Sequence, residues 1–314
     1  MRTLSWTRLL GIAGLLGVLY SFAQDARKSH AYAEALNAVK IPPDWLAAQN
    51  TTYDTARPWK EARLHIRALL KQGGAASREA ITLTYTYLIE KKSADLHEYP
   101  MYVYLGREFA WAAVIYEDWL VAQKLTEAVQ YRHLASCQLY FGEPGKALET
   151  LRVGLRRLPD TPQRVMNEAA LHDCMADVYA KMGDKAMATV EYHKALELFA
   201  KRPKGLSKNA AVTQAKLEML AETLDVARIP DGSYTSSALG YVGDVKATVR
   251  VRNGRIADVR VQHAENLDAG ASKSIPQRIV AQQTPDVDAV TAATVTSHAI
   301  RAATWQALKT AQKP

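Results

Sequence analysis

The feature that most limits what this chain can fold into is a change of hydrophobic period at Pro230. From about Ala56 to Ala227 apolar residues recur three and four positions apart, which places them on one face of a helix. Strand-like alternation is absent there. Beyond Pro230 the spacing becomes two. Val245, Ala247, Val249 and Val251 alternate with Lys246, Thr248 and Arg250, and Asn253-Gly254 then supplies the residues a tight hairpin turn needs. Ala257, Val259 and Val261 alternate with Asp258 and Arg260 on the return. A stripe on a helix and one face of a sheet bury differently, so the chain is expected to be multidomain. An all-α helical domain at 56–228 is followed by a small α+β domain at 229–314, and the length of 314 residues suits two domains. In the second unit Asp231-Gly232 reads as an opening turn and Asn266 to Ser274 as irregular. Helices are expected over Ile275–Gln282 and from near Thr296 to about Ala311.

The helical part repeats itself. Leu134, Ala135, Gly142, Ala147, Leu151 and Gly154 are answered 41 residues later by Met175, Ala176, Gly183, Ala188, Tyr192 and Ala195. Small residues recur where two helices approach closely, and a Gly marks the turn between them. This pattern resembles the tetratricopeptide repeat, a helix–turn–helix unit of roughly 34 residues. The additional length is expected in the loop Asp160–Met166. Arg78–Glu90 and Glu108–Ala122 read as further helices without the repeat signature. A last helix is expected from Asn209 to Ala227, with Leu217, Leu220 and Leu224 on one face and Pro230 as its stop. Stacked repeats present a concave surface, so the resemblance implies either a docking module for a partner protein or a spacer. His133, His172 and His193 fall on these helices and read as packing or surface residues.

At the other end, Arg2 and Arg8 precede an apolar run from Leu9 to Ala23. The run is short for a membrane span and suits a signal-peptide core, with Ser21-Phe22-Ala23 offering small residues for cleavage. Residues 1–23 are therefore expected to be a signal peptide or an uncleaved N-terminal anchor, with a buried helix as the third reading. Either of the first two sends the remainder out of the cytoplasm, to the periplasm. Residues 24–55 read as a linker or loosely docked segment. The formal charge is +8, but Lys and Arg are scattered rather than clustered, which argues against nucleic-acid binding. Cys137 and Cys174 stand apart without a second close ligand, so they are not a metal signature; they could pair in an oxidising compartment but read as unpaired thiols.

The ordered set Asp231-Gly232-Ser233-Tyr234, Gly240-Tyr241-Val242-Gly243-Asp244, the Asn253-Gly254 hairpin and Asp288 to Ser297 resembles the FMN-binding domain family. Its relatives include flavin subunits of the sodium-pumping NADH:quinone oxidoreductase. In that family a flavin transferase joins FMN through its phosphate to the Thr that closes an Asp-x-x-Ser/Thr-Gly-Ala-Thr motif. By that resemblance Asp288 is the leading acid, Thr291 the first hydroxyl, Ala293 the small residue and Thr294 the covalent acceptor. Ala292 stands where the family usually has Gly, and Gly permits backbone angles that Ala resists. A motif just before a helix suits a phosphate, because helix N-termini present unpaired N–H groups and a partial positive charge. Thr296 and Ser297 are expected to bind the same phosphate or to cap the helix. The resemblance also places the loop His263–Gly270, with His263 and Glu265, near the flavin ring. Tyr241 is expected to stack on the ring or pack on the hairpin, with Gly243 in the turn beside it.

No residue set resembles a general acid–base pair or an activated nucleophile. The leading expectation is an exported flavoprotein that carries electrons to or from a redox partner or membrane electron-transport complex. The alternatives are a flavin-dependent reductase of a small molecule, or a tetratricopeptide adaptor with a degenerate flavin domain.

Overall fold

The computed structural model describes residues 31–312 apart from residue 95 and residues 202–206. The expected export segment at 1–23 lies outside the described residues. The protein is mostly helical, with one small antiparallel sheet near its C-terminus.

The chain enters through helices α1 (31–38) and α2 (Asp44–Ala48). This segment is docked: Tyr32 and Leu46 lie in the main helical core, and the Tyr32 hydroxyl donates to Glu117 Oε1 at 2.8 Å. Next come α3 (Trp59–Gln72), α4 (Ala75–Tyr85) with a π-helical continuation over Thr86–Glu90, α5 (Glu98–Leu105) and α6 (Phe109–Val121). Two helical hairpins follow. The first pairs α7 (Ala128–Tyr140) with α8 (Pro144–Arg157), and the second pairs α9 (Arg164–Met182) with α10 (Lys185–Ala200).

The 41-residue offset has a structural counterpart. Gly142 and Gly183 turn each hairpin with φ of 82° and 81°, in the left-handed region that favours glycine. Leu134, Ala135, Ala147 and Leu151 are buried, and so are Met175, Ala176, Ala188 and Tyr192. The additional length is not in the loop. Helix α9 has 19 residues against 13 in α7 and begins at Arg164. Its added turns place Ala169 against Ala195 and Phe199, so burial extends the helix where a loop was expected.

Helix α11 (Ser207–Ala221) packs on both units. Leu217 and Leu220 join the helical core, whereas Ala215 and Met219 join the core of the C-terminal unit. It ends six residues before the expected Ala227. Asp225 instead accepts the Ala227 N–H at 3.1 Å and caps a short 3-10 turn at Val226–Arg228.

In the C-terminal unit, strands β1 (Gly232–Leu239), β2 (Asp244–Arg252) and β3 (Arg255–Gln262) form a sheet in the order β1-β2-β3. Asn253 and Gly254 adopt φ of 53° and 66° in the two-residue β2–β3 turn, as a tight primed hairpin requires. Val245, Ala247, Val249 and Val251 face inward. On β3, Ile256 is buried and Ala257 exposed, contrary to the simple alternation. Arg250 pairs with Asp258 and Val251 with Ile256, so Ala257 is the additional residue of a bulge that resets the phase. Helices α12 (Ala271–Gln282) and α13 (Thr294–Ala311) cover the sheet. α12 starts four residues earlier than the sequence suggests because Asp268 accepts the Gly270 and Ser272 N–H groups at 3.1 and 3.2 Å. Among the described residues no helix is long and apolar enough to cross a membrane.

Candidate functional site

The site begins at the N-terminus of α13. Thr294 is its first residue, slightly ahead of the start near Thr296 that the sequence suggests. The preceding Ala293 donates its N–H to Val290 O at 2.9 Å, which closes the loop onto the helix. No side chain caps this end. The two hydroxyls that follow are committed elsewhere: Thr296 Oγ1 donates to Glu265 Oε2 at 3.1 Å, and Ser297 Oγ accepts the Val290 N–H at 3.0 Å. The first-turn N–H groups are thus left for an outside acceptor, with the positive end of the helix dipole behind them. The Thr294 hydroxyl is half-buried and has no hydrogen-bond partner among the described residues.

Ala292, two residues earlier, adopts φ of 69°. It occupies the left-handed region in which glycine would be unstrained. Its methyl group packs against the core of the helical array, and its N–H donates to the Tyr104 hydroxyl of α5 at 3.1 Å. Tyr104 in turn donates to Ser136 Oγ of α7 at 2.9 Å. Burial raises the Tyr104 phenol to about 12, so it acts as a neutral relay between the helical array and the loop.

Glu265 is buried and ties three segments together. Besides Thr296 it accepts the Val242 N–H at 3.1 Å, in the turn after β1. That close approach requires Gly240, because a Cβ there would run into the Glu265 carboxylate. His263 Nδ1 accepts the Glu265 N–H at 3.1 Å and holds the same loop. These two side chains therefore brace the helix end rather than line the cleft beside it. Tyr241 is 82% exposed at the tip of the β1–β2 turn, and Gly243 closes that turn by accepting the Gly240 N–H at 2.8 Å.

A cleft of about 1020 Å³ opens between this helix end and the helical array. Tyr241, Asp288, Thr291, Ala293, Thr294 and Thr296 line its sheet side, together with Asn266 and Leu267 of the expected ring-facing loop. Gly243, His263, Glu265 and Ser297 lie outside it. The far wall was not legible in the sequence. It comes from α3, α5, α7, α9, α10 and α11, and it includes Tyr104, Arg132, His133, Asp177 and Lys216. These residues are scattered along the chain and carry no local spacing; only the fold assembles them.

The charges in the wall are mostly paired. His298 lies one turn beyond Thr294 on α13 and sits 3.1 Å from Asp177 Oδ2 on α9. Lys216 of α11 reaches Asp177 at 2.9 Å and Asp173 at 2.7 Å, and the Tyr192 hydroxyl donates to Asp177 at 2.7 Å. Burial alone would raise the Asp177 carboxyl, but His298 and Lys216 hold it well below the usual carboxylate range. Burial lowers His298 further than Asp177 raises it, which favours the neutral ring. His133 stacks on Tyr104 at 4.3 Å and meets the Tyr116 hydroxyl at 3.0 Å. Loss of solvent, then the neighbouring Arg132, lower it to about 3. Cys174 lines the cleft as a free thiol that burial raises to about 12, and Cys137 is likewise unpaired and buried. Among the described residues no His, Cys, Asp and Glu cluster could hold a metal ion.

Residues 240–309 match the family model of the FMN-binding domain. The match spans β2, β3, α12 and most of α13, and it includes the whole loop from Asp288 to Thr294. It supports FMN as the cofactor and indicates a flavoprotein. No curated protein and no solved structure gives a significant match to the chain.

Proposed function

We propose that this chain is an exported flavoprotein that carries electrons, with FMN joined through its phosphate to Thr294. The observation that supports it best is an unpartnered Thr294 hydroxyl at the uncapped first turn of α13, opening onto a cation-bearing cleft. These residues fit the group: free first-turn N–H groups and a helix dipole suit a phosphate, and the cleft is large enough for a flat ring system. The bound flavin would supply one- and two-electron redox chemistry. The chain's own residues do the rest. Glu265 fixes the helix end, Tyr104 holds the Ala292 loop against the helical array, and Tyr241 projects at the cleft mouth.

Attachment would form a bond from Thr294 Oγ1 to the flavin phosphorus. The hydroxyl proton is lost, and the nucleotide leaving group of a donor brought by a flavin transferase departs; no electrons change hands. The tetratricopeptide-like hairpins would dock a redox partner protein or a membrane electron-transport complex. Nucleic acid is not a proposed partner.

The test is co-expression with a flavin transferase, followed by denaturation, intact mass and flavin fluorescence. One FMN added to the parent chain and none to Thr294→Ala is the expected result. An unmodified mass with no flavin in the native protein would overturn the reading. The volume of the cleft, at the upper end of the roughly 300–1,000 Å³ usual for one ligand, favours a second reading as a small-molecule reductase. Saturable oxidation of the reduced protein by a small acceptor would distinguish it from a carrier.

A further inference from the structure

The helical array contributes a cation to the cleft that nothing among the described residues neutralises. Seven cationic side chains line the cleft: Arg67, Lys71, Arg132, Lys181, Lys185, Lys216 and Arg301. Arg67 lies 3.7 Å from Glu98, Lys181 3.7 Å from Asp288, Arg301 2.5 Å from Asp286, and Lys216 bridges Asp173 and Asp177. Lys71 and Lys185 are exposed, and water solvates them. Arg132 is different. It is half-buried, its Nε is sealed from solvent with no hydrogen-bond partner, and among the described residues no carboxylate or hydrogen bond engages its terminal nitrogens. A guanidinium Nε sealed from water without a partner is costly, and an anion meeting the terminal nitrogens that line the cleft would offset part of that cost.

Its position indicates where that anion sits. Arg132 acts electrostatically on Tyr104, His133 and Cys174, all of which line the cleft. Tyr104 is the residue that holds the Ala292 N–H, two positions before Thr294. The cation therefore belongs to the wall that backs the flavin-bearing loop, although it lies about 160 residues away in sequence.

We propose that Arg132 is the anion receptor of this cleft, its guanidinium donating to an anionic oxygen of the flavin, so that the helical array completes the cofactor site rather than only docking a partner. The shared chemistry is a planar five-donor fork meeting an anionic oxygen. The oxygen belongs either to the phosphate or to the ring of the reduced flavin. The inference rests on the FMN reading of the cleft but not on covalent attachment.

The test uses the full chain with Thr294→Ala, which cannot be loaded covalently, titrated with FMN and with riboflavin. Arg132→Met is expected to weaken FMN binding by roughly 10–100-fold, the usual weight of a charge-assisted hydrogen bond. Arg132→Lys should recover part of it. If the phosphate is the anion, riboflavin binding stays unchanged. If the ring is the anion, FMN and oxidised riboflavin binding change little, and the midpoint potential of the loaded chain falls on Arg132→Met. Equal FMN affinity together with an equal potential would overturn the proposal. Failure of the Thr294 reading shows separately, as an unmodified mass in the co-expression experiment. Arg132→Met should also leave the apo chain as stable or more so, because no partner is lost; a lowered melting temperature with unchanged flavin properties would mark Arg132 as a structural residue only.

Discussion

At the residue scale the most informative position is Ala292. The sequence marks it as a departure from Gly, and the backbone gives the departure its meaning, with φ of 69°. A left-handed non-Gly residue costs roughly 1–2 kcal/mol. The methyl group it carries is half-buried against the helical array, which returns about half of the ~0.8 kcal/mol of a fully buried methylene. Strain outweighs that contact, so Ala292→Gly should raise stability by about 0.5–1 kcal/mol, after allowing for the greater freedom of the unfolded chain. Urea unfolding of the two proteins measures it; a variant less stable than the parent would mean the methyl contact dominates. The loop keeps its Gly-like geometry with Ala in place, which is why one departure from the motif does not displace Thr294. The sequence singles out Thr294, Asp288 and Thr291, which line the cleft, because a short ordered motif carries them. Arg132 was not, because the absence of a partner is a property of three dimensions.

At the element scale α13 is held against the array by side chains from α9 and α11. The groups facing His298 are Asp177 of α9, Lys216 of α11 and Arg301 of its own helix, and burial lowers its pKa further than Asp177 raises it. His133 of α7, facing Tyr104, Tyr116 and Arg132, is lowered to about 3 and is neutral near pH 7. Both titrate near 6.5 once unfolded. Their folded values are depressed, so the unfolded state binds more protons as pH falls. Stability is fully present above about pH 6.5 and is lost below it, at up to about 1.4 kcal/mol per pH unit for each ring. Unfolding free energies from pH 7.5 to 5 should show this slope, and His133→Phe should remove the share of one ring whatever it does to the absolute value. An unchanged slope in that variant would show that the fold does not depress His133. The elements themselves differed in legibility. The β2–β3 hairpin was readable because Asn253-Gly254 sits between alternating valines. β1 was not, because Gly232 to Leu239 is small and polar and its pattern follows β2 rather than its own hydrophobicity. The Ala257 bulge was hidden because Ala257, Val259 and Val261 alternate among themselves, and the adjacent apolar Ile256 is the one trace of the change in phase.

At the scale of the whole molecule, the change of period at Pro230 marks a change of element type and not the edge of a core. Helix α11 lies before Pro230, yet Ala215 and Met219 are buried in the same core as Val249, Ile300 and Trp305. Its Glu218 accepts the Trp305 indole N–H at 3.1 Å and the Lys309 ammonium at 2.7 Å. A fragment cut where the sequence changes, at residues 229–314, would expose the face of α13 that α11 covers and leave the Trp305 N–H without its acceptor. A fragment of residues 207–314 restores both. The shorter fragment should therefore be less stable by about 2–4 kcal/mol, the scale of uncovering two buried apolar side chains and losing one buried hydrogen bond. Thermal or urea unfolding of the two fragments, with exchange of the Trp305 indole proton as a local probe, measures the difference. Equal stability would mean that α11 merely rests on the flavin unit. The expected difference instead makes α11 a shared wall: it closes the sheet unit on one face, and through Lys216 it sets the charge of the cleft on the other. A site built across that wall responds to how the helical array is seated.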